Sequence, residues 1–127
     1  MRRKGKNTFM DTEIINPIKL TINKTGEVYE LDFSRESIFF MESQGFKIDE
    51  VMDFPAVNLP KLFYYSFRKN HRKMSKAQTD KILADVLHGL SPKMIERLLQ
   101  LYNQALTANN FQDDEDLEKN SEVAVEM

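Results

Sequence analysis

IKLTINKTGEVYELDFSRESIFFMESQGF, residues 18–46, is the stretch that decides the fold class of this chain. Apolar and polar residues alternate from Ile18 to Ile22, which is the period of a half-buried β-strand. Turn residues follow, among them Gly26, which adopts positive φ without strain. A second alternating strand then runs up to Phe33. Because two strands alone are only marginally stable in water, we expect this hairpin to pack on helices.

Four segments begin with the signals of a helix start. The Ser34 hydroxyl is placed to accept a hydrogen bond from a first-turn N–H, and Phe33 and Ile38 form a hydrophobic staple across it. Gly45 suits the position just past the end of that helix. Equivalent caps are predicted at Asn58, Ser75 and Ser91. We therefore expect an α+β fold, with an N-terminal β-hairpin packed on a bundle of about four helices and with disordered termini. The helices are expected near residues 34–44, 58–70, 76–88 and 92–108.

Charge is distributed unevenly along the 127 residues. The first eight residues carry four basic groups and no acidic one, whereas residues 112–127 carry seven acidic groups against one lysine. We therefore predict a basic flexible arm over residues 1–16, a single α+β domain over 17–108 and an acidic disordered tail over 109–127. The chain has no cysteine, so disulfides and thiolate chemistry are excluded. No apolar run has the length of a membrane span.

The aromatic stretch LPKLFYYSF, residues 59–67, is the first candidate for a partner-binding surface. Tyrosine and phenylalanine are frequent anchors of protein interfaces. We select Tyr64, Tyr65 and Phe67 from this stretch, and we add Leu99 and Leu106, which widen the apolar stripe of the last helix. The alternative interpretation is that these residues belong to a two-sided hydrophobic core.

The basic stretch RKNHRKMSK, residues 68–76, is the second candidate surface. Arg68, Arg72 and Lys73 are its candidate binding residues. Such a cluster can engage phosphates. It can also be a solvated helix end, where cations are favoured, or a docking site for an acidic partner surface or for this chain's own acidic tail.

No motif indicates an enzyme, and we expect none of the residues to be catalytic, to bind a cofactor or to bind a metal ion. The two histidines, His71 and His88, lack the spacing of a metal site. We interpret His71 as a solvated surface residue and His88 as part of a helix end. Phosphate-binding loops and nucleophile elbows are absent from the sequence.

The order of these segments resembles that of the tail assembly chaperones of long-tailed phages and prophages. The resemblance lies in the hairpin IKLTIN…EVYELDFS, the helix SRESIFFMESQGF, the stretch LPKLFYYSFRKNH and the final helix SPKMIERLLQLYNQAL. It covers about residues 17–108. The phrases YELDFSRESIFFMESQGF and LFYYSFRKNHRKMS are its most specific parts.

The resemblance implies a small non-enzymatic α+β protein. Such chaperones coat the tape-measure protein, keep its apolar helices in solution and recruit tail-tube subunits. We therefore expect the tape-measure protein and the tail-tube protein as partners, together with self-association, and we expect neither a membrane nor nucleic acid. The expected location is the host cytoplasm, with the protein absent from the mature virion. The alternatives are a small nucleic-acid-binding regulator that uses residues 68–76 and a structural component of the virion tail.

Overall fold

The computed structural model describes the backbone of residues 14–119 and the side chains of residues 14–107. The chain begins with an antiparallel hairpin formed by β1 (Ile18–Ile22) and β2 (Glu27–Leu31). Four helices follow: α1 (Arg35–Ser43), α2 (Pro55–Tyr65), α3 (Lys76–Ile82) and α4 (Pro92–Lys119). The expected α+β architecture, a hairpin followed by four helices, is confirmed.

The hairpin has the predicted strands and turn. Ile18 lies opposite Leu31, and Ile22 lies opposite Glu27. Gly26 has a φ of 79°, and its N–H donates to the Ile22 carbonyl at 2.7 Å. One face of β1 is buried against the helices, whereas Lys19 and its alternating neighbours face solvent. This is the burial pattern that the period-2 alternation predicts.

Three of the predicted helix starts are confirmed. The Ser34 hydroxyl accepts from the Ser37 N–H at 3.1 Å, and Ser75 caps α3 in the same way through Gln78. The Ser91 hydroxyl accepts from the Met94 N–H at 3.1 Å at the start of α4. Short-range capping bonds of this kind depend only on local sequence, which is why they are predictable.

The predicted start of α2 at Asn58 is wrong. The helix begins at Pro55, after Phe54 in the N-cap position. Asn58 lies within the first turns of the helix, and its side-chain amide donates to the Glu50 carbonyl at 3.0 Å. Proline is well suited to the first helical position because its missing N–H would be unpaired there in any case. The helix therefore starts three residues before the predicted cap.

Three helices end differently from the prediction. Helix α2 ends at Tyr65, before the expected end near residue 70. After α3, residues Leu83–Leu87 form a π-helical turn that ends at His88, which has a left-handed φ of 55°. Helix α4 extends to Lys119, well past the expected end near 108. Neither proline nor glycine occurs between Ala105 and Lys119, so no residue there breaks the helix. Residues 1–13 and 120–127, which belong to the predicted arm and tail, lie outside the described part of the chain.

The C-terminal half of α2 is the centre of the hydrophobic core. Leu62 and Tyr65 pack in one cluster with α1 and α4, through residues such as Leu98 and Leu101. Phe63 packs in a second cluster together with Leu20, Leu31 and Phe67. The second cluster is covered by partly buried residues of α3 and of the following turn: Ile82, Leu83 and Leu87. Helix α2 therefore joins the hairpin side of the core to the helical side.

Candidate partner-binding groove

The predicted aromatic surface is largely part of the core. Phe67 is only 1% exposed, and Tyr65 is also buried, between the rings of Phe40 and Phe46. Tyr64 is half-buried and contacts the Tyr65 ring. These positions follow the alternative interpretation, in which the aromatic stretch belongs to the core. Neither Tyr65 nor Phe67 presents its ring to a partner in this structure.

The two leucines selected from the last helix are also packed inward. Leu99 and Leu106 are half-buried, and both lie against the larger core cluster of the domain. The apolar stripe of α4 is wide because it contacts both α1 and α2. The width of the stripe therefore reflects two intramolecular neighbours.

Most cations of the basic stretch have partners within the domain. Lys69 forms an ion pair with Asp32 at 2.8 Å, and Arg72 forms one with Glu36 at 2.9 Å. The Arg68 guanidinium lies 3.6 Å from the centre of the Phe40 ring, a cation–π contact. Lys76 pairs with Asp80 within α3. Among the described residues, only Lys73 of these five cations has no acidic or aromatic partner, so the stretch presents little free positive charge.

His71 is half-buried and has partners within the domain, which the interpretation as a solvated surface residue did not include. Its Nε2 accepts a hydrogen bond from the Glu30 N–H at 2.9 Å, and its ring packs against Tyr29 and Phe67. This histidine therefore closes part of the hairpin edge, which is a structural role. A contact across 41 positions in the chain has no local signal in the sequence.

The exposed apolar residues concentrate in a different place, at the start of α2. Met52, Phe54 and Val57 are 61%, 63% and 57% exposed, respectively. Burial of large apolar side chains is the main stabilising term in folding, so several exposed ones close together in sequence indicate a binding surface. None of them was selected from the sequence, because exposure depends on which distant elements pack on this segment.

A groove of about 480 Å³ lies between α2, α3 and the turn that follows α3, and of the three exposed residues only Val57 lines it. We call it the α2–α3 groove. Most of its lining residues are apolar or small, and three are charged. The lining consists of Ala56, Val57, Pro60, Lys61, Lys76, Asp80, Leu83, Ala84 and Gly89.

Pro60 interrupts the hydrogen bonding of α2 beside this groove. Proline has no backbone N–H, so the carbonyl of Ala56, one turn earlier in α2, lacks its usual helical donor. Of the charged lining residues, Lys76 is paired with Asp80, whereas Lys61 has no acidic partner among the described side chains. The groove therefore combines a largely apolar lining with the cation of Lys61.

No three histidine or acidic side chains in the described part of the chain lie close enough to hold a metal ion, and no helix in it is long and apolar enough to cross a membrane. Burial raises the pKa of Tyr65 and Tyr29. The pKa of Tyr102 is raised by burial and by the hydrogen bond that its hydroxyl donates to Glu42. All these shifts stabilise the neutral phenol, and none of these tyrosines lines the groove.

Comparison with known proteins gives one match. A family model described as a domain of unknown function (DUF5055) matches residues 8–127. No curated protein and no solved structure matches the chain. Because the match extends over nearly the whole sequence, this chain belongs to the DUF5055 family.

Proposed function

We propose that this protein is a tail assembly chaperone of a long-tailed phage or prophage, which binds an apolar helical segment of the tape-measure protein in the α2–α3 groove. The observation that carries the proposal is the exposure of Val57 in the lining of a largely apolar groove, together with the exposure of Phe54 three residues earlier in the chain. The resemblance of residues 17–108 to such chaperones supplies the biological context. The protein acts without catalysis, in the host cytoplasm, and is absent from the mature virion.

The shape and chemistry of the groove suit an amphipathic helix. Such a helix binds by placing apolar residues at i, i+3, i+4 and i+7 into a groove of this kind. Met52, which is unbranched and flexible, allows the surface to adapt to different segments. Lys61, which lines the groove, attracts an acidic residue on the polar side of the bound helix.

Recruitment of tail-tube subunits requires a second surface. Phe39 on α1 is 74% exposed and does not line the α2–α3 groove. A chaperone that holds the tape-measure protein in the groove leaves this aromatic side chain free. We therefore assign tail-tube contact to the surface around Phe39.

Co-expression with a tape-measure gene tests the groove assignment. We expect the protein to raise the soluble yield of the tape-measure protein and to co-purify with it. The double variant Phe54→Ser/Val57→Ser should lose both effects, because it removes the exposed apolar residues at the groove. A tape-measure protein that is equally insoluble with and without the wild-type chain would disprove the proposal.

A matched control separates the groove from exposed apolar residues in general. Phe39→Ser/Val28→Ser makes the same two chemical changes at residues that are 74% and 50% exposed. This control should retain tape-measure binding. Mass spectrometry of purified particles separates the chaperone from a structural tail component, since a virion subunit would be found in the particles at stoichiometric amounts.

A further inference from the structure

The two edges of the hairpin differ in whether their outward-pointing backbone N–H and carbonyl groups have hydrogen-bond partners. On the outer edge of β2, the Glu30 N–H donates to His71 and the Glu30 carbonyl accepts from the Asn70 amide at 3.3 Å. The Asp32 N–H donates to the Ser66 carbonyl at 3.0 Å. The segment after α2 therefore covers the β2 edge, and no further strand can pair there.

Among the described residues, no backbone group pairs with the outer edge of β1. Lys19 lies directly opposite Glu30, whose backbone groups point away from β1. In an antiparallel ladder, when the backbone groups of one residue point away from the neighbouring strand, those of the residue opposite it do so as well. The N–H and carbonyl groups of Lys19 therefore point away from β2, and those of Thr21, two residues further on, do the same. Within residues 14–119, no group bonds to them. An open strand edge of this kind is a template for another strand.

We propose that β1 pairs in antiparallel fashion with β1 of a second copy of this chain, about a two-fold axis at Leu20. The result is one continuous sheet formed by two hairpins. This inference rests on the hairpin alone and is independent of the proposed function, which rests on the α2–α3 groove.

The sequence of β1 is self-complementary in this register. Lys19 lies opposite Thr21 of the second copy, and each such pair exchanges both backbone hydrogen bonds. An axis at Lys19 would place two ammonium groups directly opposite each other, which destabilises a sheet. An axis at Thr21 would place Lys19 opposite Asn23, which already belongs to the turn. The axis at Leu20 therefore forms the most bonds without a like-charge pair.

The buried face of the sheet is also continuous in this register. Leu20 lies opposite its own copy and Ile18 lies opposite Ile22 of the second copy, so apolar residues meet apolar residues on the side that faces the helices. Pro17, immediately before the strand, has no N–H to donate and limits the ladder to the Lys19–Thr21 pairs. A short ladder of this kind gives a reversible dimer and prevents open-ended strand addition.

The variant pair Thr21→Pro and Thr21→Val tests the pairing. The Thr21 N–H points away from β2, so proline leaves the bonds of the hairpin intact and removes a donor of the dimer, whereas valine keeps the donor. Light scattering of the full chain over a concentration series should show a monomer–dimer equilibrium for wild type and for Thr21→Val. For Thr21→Pro the dimer dissociation constant should rise about tenfold or more. A wild-type chain that remains monomeric throughout would overturn the proposal.

Disulfide trapping tests the register without relying on the proline variant. The chain has no cysteine, so single cysteines report only the introduced positions. Oxidation of a mixture of Lys19→Cys and Thr21→Cys chains, distinguished by mass, should yield mainly the mixed 19–21 dimer. Cα atoms of a hydrogen-bonded antiparallel pair lie about 5.5 Å apart, which suits a disulfide. Dominant 19–19 or 21–21 dimers, or no cross-linked dimer, would refute the pairing at Leu20.

Discussion

The two halves of α2 are both rich in apolar residues, yet only one of them is buried. Leu62 and Phe63, in the C-terminal half, are fully buried. Phe54 and Val57, at the start of the helix, are mostly exposed. The difference arises from the neighbours, because the hairpin and α4 pack on the C-terminal half and leave the start of the helix beside an open groove. Hydrophobicity alone therefore does not distinguish a core surface from a binding surface.

The largest effect is expected from truncation in the buried half of α2. Phe63→Ala removes a ring that is fully buried and contacts the Phe67 ring. We expect a loss of about 3–5 kcal/mol in the free energy of unfolding, measured by chemical denaturation. The control Val57→Ala on the exposed half should cost less than about 0.5 kcal/mol. Similar losses of unfolding free energy in the two variants would contradict the distinction between a buried and an exposed half of α2.

A smaller loss is expected at the ion pair between the hairpin and the segment after α2. The Asp32 side chain is 11% exposed, accepts from the Phe33 N–H at 2.9 Å and pairs with Lys69. Asp32→Ala leaves both donors without this acceptor, and it should destabilise the fold by about 1–3 kcal/mol. In the exposed pair of Arg72 with Glu36, Arg72→Ala should change stability by less than about 1 kcal/mol. Equal losses of unfolding free energy in Asp32→Ala and Arg72→Ala, measured by chemical denaturation, would contradict the assignment of a buried and an exposed ion pair.

A third prediction concerns the core on the α4 side. The Tyr102 hydroxyl donates to Glu42 at 2.7 Å, and Tyr102→Phe should cost about 1 kcal/mol at neutral pH. The pKa of Tyr102 is raised in the fold above its ordinary value of 10.0, so the unfolded chain loses the phenol proton first as pH rises. Stability should therefore decline above pH 10, and this decline should be smaller in Tyr102→Phe. An identical decline in stability above pH 10 for wild type and Tyr102→Phe would contradict the raised pKa of Tyr102.

The smallest stability effect is expected on the exposed side. Phe54→Ser/Val57→Ser removes side chains that are 63% and 57% exposed, so the free energy of unfolding should change by less than about 1 kcal/mol. Loss of tape-measure binding without loss of stability would then identify a binding surface. Unfolding of this variant at markedly lower denaturant would instead assign both residues to the core.

The predictable parts of the fold are those with local causes. The alternation of β1, the turn at Gly26 and the caps at Ser34, Ser75 and Ser91 depend on residues within a few positions of one another, and the structure confirms them. The start of α2 was missed because Pro55 both ends a preceding turn and begins a helix, and the local sequence does not decide between these roles.

The candidate site was less predictable, because exposure depends on distant parts of the chain. The aromatic residues Tyr65 and Phe67 have the composition of an interface, and the structure buries them under the hairpin and the other helices. His71 bonds to Glu30, far away in the sequence. The groove itself requires α2 and α3 to lie side by side, and the hydrophobic periodicity of the sequence does not specify which helices become neighbours.

The most direct test of the central claim is site-specific photo-crosslinking during co-expression with the tape-measure protein. A photoreactive amino acid is placed at Val57 in the groove or, as the control, at Val28 on the hairpin, where the side chain is similarly exposed. We expect crosslinks to the tape-measure protein from position 57 and none from position 28. Crosslinks from position 28 alone would contradict the assignment of the exposed half of α2 as the binding surface.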